Sequence, residues 1–240
     1  MGRYFCHEQP DTLSLETRVV DARPGAVVLE QTPFYPGGGG QLADRGTLRW
    51  GGGEVAVSGF EPAADGRFWH LLAGPAEPTG TVVAVVDPEF RGVMAQLHTG
   101  THILNALVFQ QFDRALVTGA QLNDDRTARM DFDLPEADND QLRALEAGLN
   151  DLIRQDLPLR YTHVPLAEAT TQHGLIRSRS VAPPPGDDGL IRIVEIVGLD
   201  RQACGGTHLA STGRSRALRI LKIDNKGRHN RRVKIGLADA

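Results

Sequence analysis

Four residues carry ligand chemistry at matched spacing. His98-Thr99-Gly100-Thr101-His102 sets two imidazoles four positions apart within a segment of helical periodicity, and Cys204-Gly205-Gly206-Thr207-His208 repeats the interval with a thiol and a third imidazole. Residues four apart on a helix project from one face about one turn apart, which is the geometry two imidazoles need to share a metal ion. With 8 His and 2 Cys in 240 positions, random placement produces both patterns together in only about 1–2% of sequences. Three imidazoles and one thiolate form a soft-to-borderline donor set, suited to tetrahedral zinc far better than to magnesium or calcium. Gly100, between the paired histidines, costs a helix roughly 0.8–1 kcal/mol relative to alanine, a cost that makes sense if something packs closely against that turn.

The same residues exclude two common chemistries. A zinc peptidase of the His-Glu type needs a glutamate directly after the first histidine as general base, and Thr99 stands there. No Gly-x-x-x-x-Gly-Lys-Ser/Thr sequence occurs, and Gly37-Gly38-Gly39-Gly40 does not open a helix, so no ATP site is visible.

The elements that must hold these side chains fall into two parts. Six short β-branched or apolar runs, at 15–20, 26–31, 47–50, 54–59, 67–72 and 80–87, are separated by Gly, Pro and Asp and predict a small barrel or sandwich. At Asp87-Pro88 the pattern turns helical, with Asp suited to the N-cap and Pro to the first helical position. The domain boundary is placed there, giving a β-barrel domain over 1–87 and a metal-binding domain over 88–240. Met94, Leu97, Leu104 and Val108 recur at helical spacing through Phe112, and a second amphipathic helix is expected at 138–156 with Leu142, Leu145, Leu149 and Leu152 on one face. Strand-like runs at 127–134, 159–166, 190–197, 217–224 and 231–237 complete an α+β second domain with a mostly antiparallel sheet. The Pro/Gly/Asp-rich stretch 182–189 is read as a solvent loop, and no internal repeat is present.

Composition places further bounds. A chain with 40% hydrophobic and 23% charged residues is expected to fold as one large or two modest domains. No run of about 18 apolar residues occurs, and the first residues lack the apolar core of a signal peptide, so the expectation is a cytoplasmic protein that neither spans a membrane nor is secreted. Cys6 and Cys204 cannot supply a disulfide framework, which agrees with a reducing compartment. The formal charge of −4 conceals a basic segment: residues 213–234 hold nine Lys or Arg side chains against the single acid Asp224, a net +8. Clustered positive charge on an otherwise acidic chain suits a nucleic-acid backbone, with Arg228, Arg231 and Arg232 the named contacts; the alternative is a solvated strand pair.

Three segments in this order, FYPGGGGQLADRG from Phe34, HTGTH followed by Ile103-Leu104-Asn105-Ala106, and CGGTH about a hundred residues later, resemble the editing domain of alanyl-tRNA synthetase in its freestanding form, the AlaX editing proteins. The resemblance spans nearly the whole chain. It implies a barrel followed by an α+β editing domain, a zinc ion held by His98, His102, Cys204 and His208, and hydrolysis of the ester joining a wrong amino acid, serine or glycine, to tRNA(Ala). No synthetase catalytic core is present, so aminoacylation is not implied. Four substrate-binding residues are expected: Gln41, which matches the glutamine of the family's GGQ loop and whose amide would orient the water or donate to the oxyanion, Thr32, which matches a threonine whose hydroxyl can recognise serine, and Arg192 and Asp200, which match polar positions leading into CGGTH. Gly100 departs from the alanine often found between the histidines without removing a ligand. A catalytic zinc usually keeps one position open, so one of the four ligands is expected to bind weakly, with His208 the choice. No catalytic residue is assigned. Two other classes remain open: a noncatalytic zinc-stabilised RNA-binding module, and a zinc hydrolase of small esters or amides.

Overall fold

The computed structural model describes residues 4–135, 137–172, 174–177, 185–186, 188–227 and 229–238. Residues 182–184 and 187 of the expected solvent loop, and Arg228, lie outside them. Two compact units are defined by their internal contacts: the first from residues up to 38 with 42–92, the second from 39–41 with 93 onward, apart from Gly186 and Asp188, which group with the first.

The first unit opens with a single helical turn, α1 (Phe5–Glu8), followed by six strands: β1 (Ser14–Arg23), β2 (Ala26–Leu29), β3 (Gly46–Trp50), β4 (Gly53–Pro62), β5 (Phe68–Leu72) and β6 (Thr81–Val86). They close a barrel in the order β1-β2-β5-β4-β3-β6, with β6 returning to pair with β1, and every pairing is antiparallel. All six expected runs are strands, and closure removes the exposed sheet edges that an open sheet of this size would carry. Val27, Leu48 and Ala84 are wholly buried and pack with Leu29, Phe34, Val57, Leu72, Val82 and Val86 into the barrel core. Burying each large side chain among them contributes about 1.5–3 kcal/mol, which makes this core the main stabiliser of the unit. The chain leaving β2 is tied down by a buried ion pair: Asp44 accepts from the Tyr35 N–H (2.6 Å) and from Arg91 Nε (2.9 Å), while Arg91 Nη2 donates to the Pro33 carbonyl (2.8 Å).

Asp87 caps the helix that follows, its Oδ1 accepting from the N–H groups of Glu89 (2.9 Å) and Phe90 (3.0 Å). This helix, α2 (Pro88–Gln111), is buried over nearly all of Val93–Val108, and it carries the polar His98, Thr99, Thr101, His102 and Asn105 into the interior beside its apolar side chains. In the second unit come β7 (Val117–Leu122), β8 (Thr127–Asp133), α3 (Asn139–Arg154), β9 (Leu159–Pro165), α4 (Leu166–Thr171), β10 (Leu190–Ile196), β11 (Asp200–Ala203), a 3-10 turn at Thr212–Arg214, β12 (Leu218–Lys226) and β13 (Asn230–Leu237). The strands form two antiparallel sheets, β11-β10-β9 and β12-β13-β8-β7. The architecture is therefore a barrel followed along the chain by an α+β unit, as the pattern predicted, with the second unit's strands divided between two sheets.

α3 starts where Asp138 accepts from the Asp140 N–H (2.9 Å) and buries Leu142, Leu145, Leu149 and Ile153. Ile153, not the expected Leu152, completes the buried stripe, because a repeat of 3.6 residues carries the face one position further along by the fourth turn.

Candidate metal centre

His98 and His102 lie one turn apart in the buried half of α2. Gly100 between them faces β12 and β13: a β-carbon there would meet Leu218 Cδ1 at 2.3 Å, so the glycine permits the close approach that its cost to the helix implied. Cys204 and His208 sit on the loop leaving the β10–β11 hairpin. That loop is pinned to β10 through Arg192, whose carbonyl accepts from the Cys204 N–H (3.1 Å) and whose Nη1 donates to the carbonyls of Cys204 and Gly206 (3.0 Å each). The guanidinium also stacks on Tyr161, 4.4 Å from the ring centroid.

The four side chains converge. Their ligand atoms all lie within 4.8 Å of one another, and the residues are 7%, 8%, 9% and 7% exposed in chain order. Cys204 Sγ is 3.3 Å from His98 Nε2 and 3.3 Å from His208 Nε2. Zinc–sulfur and zinc–nitrogen bonds of about 2.3 and 2.0–2.1 Å at a tetrahedral angle would separate S and N by about 3.5 Å, so these contacts already sit close to the edges of a zinc tetrahedron. His102 Nδ1 is buried and has no hydrogen-bond partner among the described residues, which is unusual for a polar atom away from water. The donor set, spacing and burial fit zinc.

The surroundings favour the ligating protonation states. Burial holds the His98 imidazole well below its ordinary value, at about 3, and the nearby charge of Arg192 acts in the same direction, so the ring is neutral as a ligand must be. Burial pushes the Cys204 thiol up, but the charge of His102, a hydrogen bond with that ring, the Gly206 N–H at 3.5 Å and the Arg192 guanidinium outweigh it and leave the thiol below its usual range.

Around these four residues stands a layer that sequence reasoning only partly anticipated. Gln41 belongs to the second unit and its amide reaches both His98 and Thr207: Oε1 lies 2.7 Å from His98 Nδ1 and accepts from the Thr207 N–H (3.0 Å), and Nε2 donates to Thr207 Oγ1 (2.7 Å). Thr99 Oγ1 is 3.4 Å from His208 Nδ1 and accepts from the Leu209 N–H (3.2 Å). Thr99 and Thr207 lie inside the two motifs themselves, which is the signal that could have singled them out. Gln202 and Asn105 had no such signal. Asn105 Nδ2 donates to Gln202 Oε1 (2.7 Å), and Gln202 Nε2 donates to the Asp200 carboxylate.

The remaining expected residues are placed as follows. Asp200 is buried and ion-paired with Arg177 (2.6 Å); burial raises its pKa against the opposing pull of that cation. Thr32 lies in the first unit, where its Oγ1 is 2.7 Å from His70 Nε2 and accepts from the Phe34 N–H (3.3 Å). Cys6 also lies in the first unit, outside the cluster. Arg231 donates to the Pro135 carbonyl (3.2 Å), and Arg232 makes a two-pronged pair with Asp131 (2.6 and 2.8 Å) because the β8–β13 register sets those two residues opposite each other. Elsewhere in the basic segment Lys222 pairs with Asp224 of the same strand (2.9 Å), while Arg219 pairs with Glu146 (3.0 Å) and Lys234 with Asp125 (3.3 Å), so acids outside the segment offset part of its charge.

Comparison with known proteins agrees with this architecture. The profile described as "Threonyl and Alanyl tRNA synthetase second additional domain" matches residues 191–234, which include the cysteine loop, and that of "tRNA synthetases class II (A)" matches residues 7–90. The chain is 34% identical over 221 residues to the alanyl-tRNA editing protein AlaX-M of Saccharolobus solfataricus, covering 91% of each protein. It is 35% identical to the AlaX-M of Methanosarcina barkeri over 221 residues, covering 89% of each. The alanine–tRNA ligase of Methanopyrus kandleri is 37% identical over 198 residues, which make up 81% of this chain but 21% of the ligase. The chain belongs to the AlaX-M family of alanyl-tRNA editing proteins.

Proposed function

We propose that the protein is a zinc-dependent hydrolase acting in trans on tRNA(Ala) that carries serine or glycine, cleaving the aminoacyl ester and sparing Ala-tRNA(Ala). The observation that carries the reading is the buried His98, His102, Cys204 and His208 cluster, in a chain similar over nine-tenths of its length to proteins named for alanyl-tRNA editing. Bound there, zinc would supply Lewis-acid character and a template for the ester. The chain's own part is to keep His98 neutral by burial, to hold the Cys204 loop through Arg192, and to exclude water from the ligands. Such a reaction belongs in the cytoplasm, where charged tRNA is made and used.

A pocket that sorts by size rejects an added hydroxyl poorly, so a second hydrolytic site with a polar partner is the effective filter against serine. Thr32 is the proposed partner. His70 Nδ1 faces the Val27 carbonyl (3.3 Å) and must donate to it, which leaves Nε2 to accept the Thr32 hydroxyl proton. The Thr32 oxygen then has a lone pair to offer a serine O–H. Arg192 and Asp200 remain proposed substrate-side residues acting through the structure of the cysteine loop and the β10–β11 hairpin. The tRNA backbone is assigned to the basic segment, with Arg228, Arg231 and Arg232 as its proposed contacts.

The direct test is deacylation of purified Ser-, Gly- and Ala-tRNA(Ala) by the zinc-loaded protein. Release of serine or glycine at least tenfold faster than alanine is expected, and rates within about twofold for all three would remove the editing role.

A further inference from the structure

We propose that Gln41 is a positioning residue of the metal centre that fixes the tautomer of His98, and that its amide does not contact the ester. The inference rests on the reading that the four-residue cluster holds a metal. It begins from the Thr207 backbone N–H, which can only donate, and which lies 3.0 Å from Gln41 Oε1. That contact settles which end of the amide is oxygen, since the flipped amide would set NH₂ against N–H. The same oxygen is 2.7 Å from His98 Nδ1. A carbonyl oxygen only accepts, so Nδ1 must carry the proton and Nε2, which faces Cys204 Sγ at 3.3 Å, must present its lone pair.

The other two imidazoles are held differently. His208 Nδ1 has a hydroxyl, Thr99 Oγ1, at 3.4 Å, which can donate or accept and so dictates no tautomer. His102 Nδ1 has no partner among the described residues. His98 is thus a ligand whose ligating nitrogen is chosen before the metal arrives. Gln41 can hold it because it is itself held: its Nε2 donates to Thr207 Oγ1 at 2.7 Å, the neighbouring Gly40 carbonyl accepts from the Leu122 N–H at 2.8 Å, and the side chain is 4% exposed. Both oxygen lone pairs and one N–H are committed, which leaves little of the amide for an oxyanion. The glycine-rich loop is in this account a support of the metal site, delivering an acceptor to the back of a ligand.

The test uses the full chain and zinc alone, without tRNA. Zinc affinity is measured by competition with a chromophoric chelator for wild type, Gln41→Met and Gln41→Glu, and the His98 tautomer is read from long-range ¹H–¹⁵N correlations. Gln41→Met fills the space without accepting, and is expected to weaken zinc binding 10–100-fold and to release His98 into a mixture of tautomers. Gln41→Glu still accepts from both His98 Nδ1 and the Thr207 N–H, and is expected to stay within about threefold of wild type with the Nδ1–H tautomer kept. Wild-type zinc affinity in Gln41→Met, with deacylation lost in kcat alone, would overturn the proposal in favour of a substrate contact. Equal zinc loss in both variants would overturn it in favour of simple packing. A wild-type protein that binds zinc in the predicted tautomer yet deacylates nothing would refute the proposed function and leave this inference standing.

Discussion

Gly206 backs directly onto His98: a β-carbon at position 206 would lie 2.1 Å from the imidazole Cε1 and 2.6 Å from Gln41 Oε1. No rotamer change of an alanine relieves a clash made by its own β-carbon, so either the ring or the loop must move. Gly206→Ala is therefore expected to lower zinc affinity at least tenfold while the circular dichroism spectrum stays that of the wild type. Zinc content per chain after dialysis measures it, and a full complement of zinc in the variant would show that the loop yields without disturbing the ligands.

The two cysteines separate cleanly. Cys204 Sγ touches two imidazoles of the cluster, whereas Cys6 lies in the first unit and is not among the four. Cys204→Ala is expected to lose most bound zinc, and Cys6→Ala to retain it. Elemental analysis of reduced protein decides, and equal loss in both variants would show that the thiol ligand is misassigned.

His70 makes the barrel acid-sensitive. Burial lowers its pKa from 6.5 to about 4, against weaker hydrogen bonds to backbone carbonyls that favour the charged form. The folded state thus prefers the neutral ring, and the stability this represents is present above the unfolded pKa near 6.5 and is lost as pH falls toward 4. By linkage the loss amounts to roughly 3 kcal/mol across that window. Trp50 and Trp69, the chain's 2 tryptophans, both lie in the barrel, so intrinsic fluorescence in urea titrations between pH 7 and pH 4 reports this unit. His70→Phe should flatten the pH dependence in this window, and a variant with the wild-type slope would assign the acid sensitivity elsewhere.

How much of this could be read beforehand depended on where the signal lay. The barrel strands and the Asp87 cap were legible because short β-branched or apolar runs bounded by Gly, Pro and Asp, and capping chemistry, are local signals. The ligands were legible because their spacing repeats. β7 and β11 were missed: Val-Thr-Gly-Ala-Gln-Leu alternates weakly, and Asp-Arg-Gln-Ala holds no β-branched or large apolar residue, so both exist by virtue of pairing with neighbouring strands. The same holds for the Asn105–Gln202–Asp200–Arg177 chain and for the ion pairs that offset the basic segment, since cross-strand register cannot be counted along one strand.

That register sharpens the expectation for tRNA. Arg232 already shares Asp131 with Arg129, while Arg231 is bound to a neutral carbonyl. Arg231→Gln should raise the KM for charged tRNA and make the log–log salt dependence shallower by about 0.7–0.9, with kcat little changed. Arg232→Gln should alter the slope less, because Asp131 offsets part of its charge before tRNA arrives. Equal slopes for both variants and wild type would place the backbone contacts elsewhere.

Thr32→Val tests the specificity reading with the least change of shape. The substitution keeps the β-branched volume in the chain leaving β2, deletes the hydroxyl whose proton His70 Nε2 accepts, and leaves that buried nitrogen without its partner. A loss of about 1–3 kcal/mol in stability is expected from the orphaned acceptor, so rates must be compared at a temperature where the variant is fully folded. Serine carries the group that Thr32 would bind and glycine does not. Hydrolysis of Ser-tRNA(Ala) should therefore fall by tenfold or more, while that of Gly-tRNA(Ala) stays within about threefold. Adding His70→Phe to Thr32→Val should cost little further selectivity, because the histidine acts only by turning the threonine hydroxyl. An equal fall on both substrates would mean that Thr32 supports the barrel and reads no side chain.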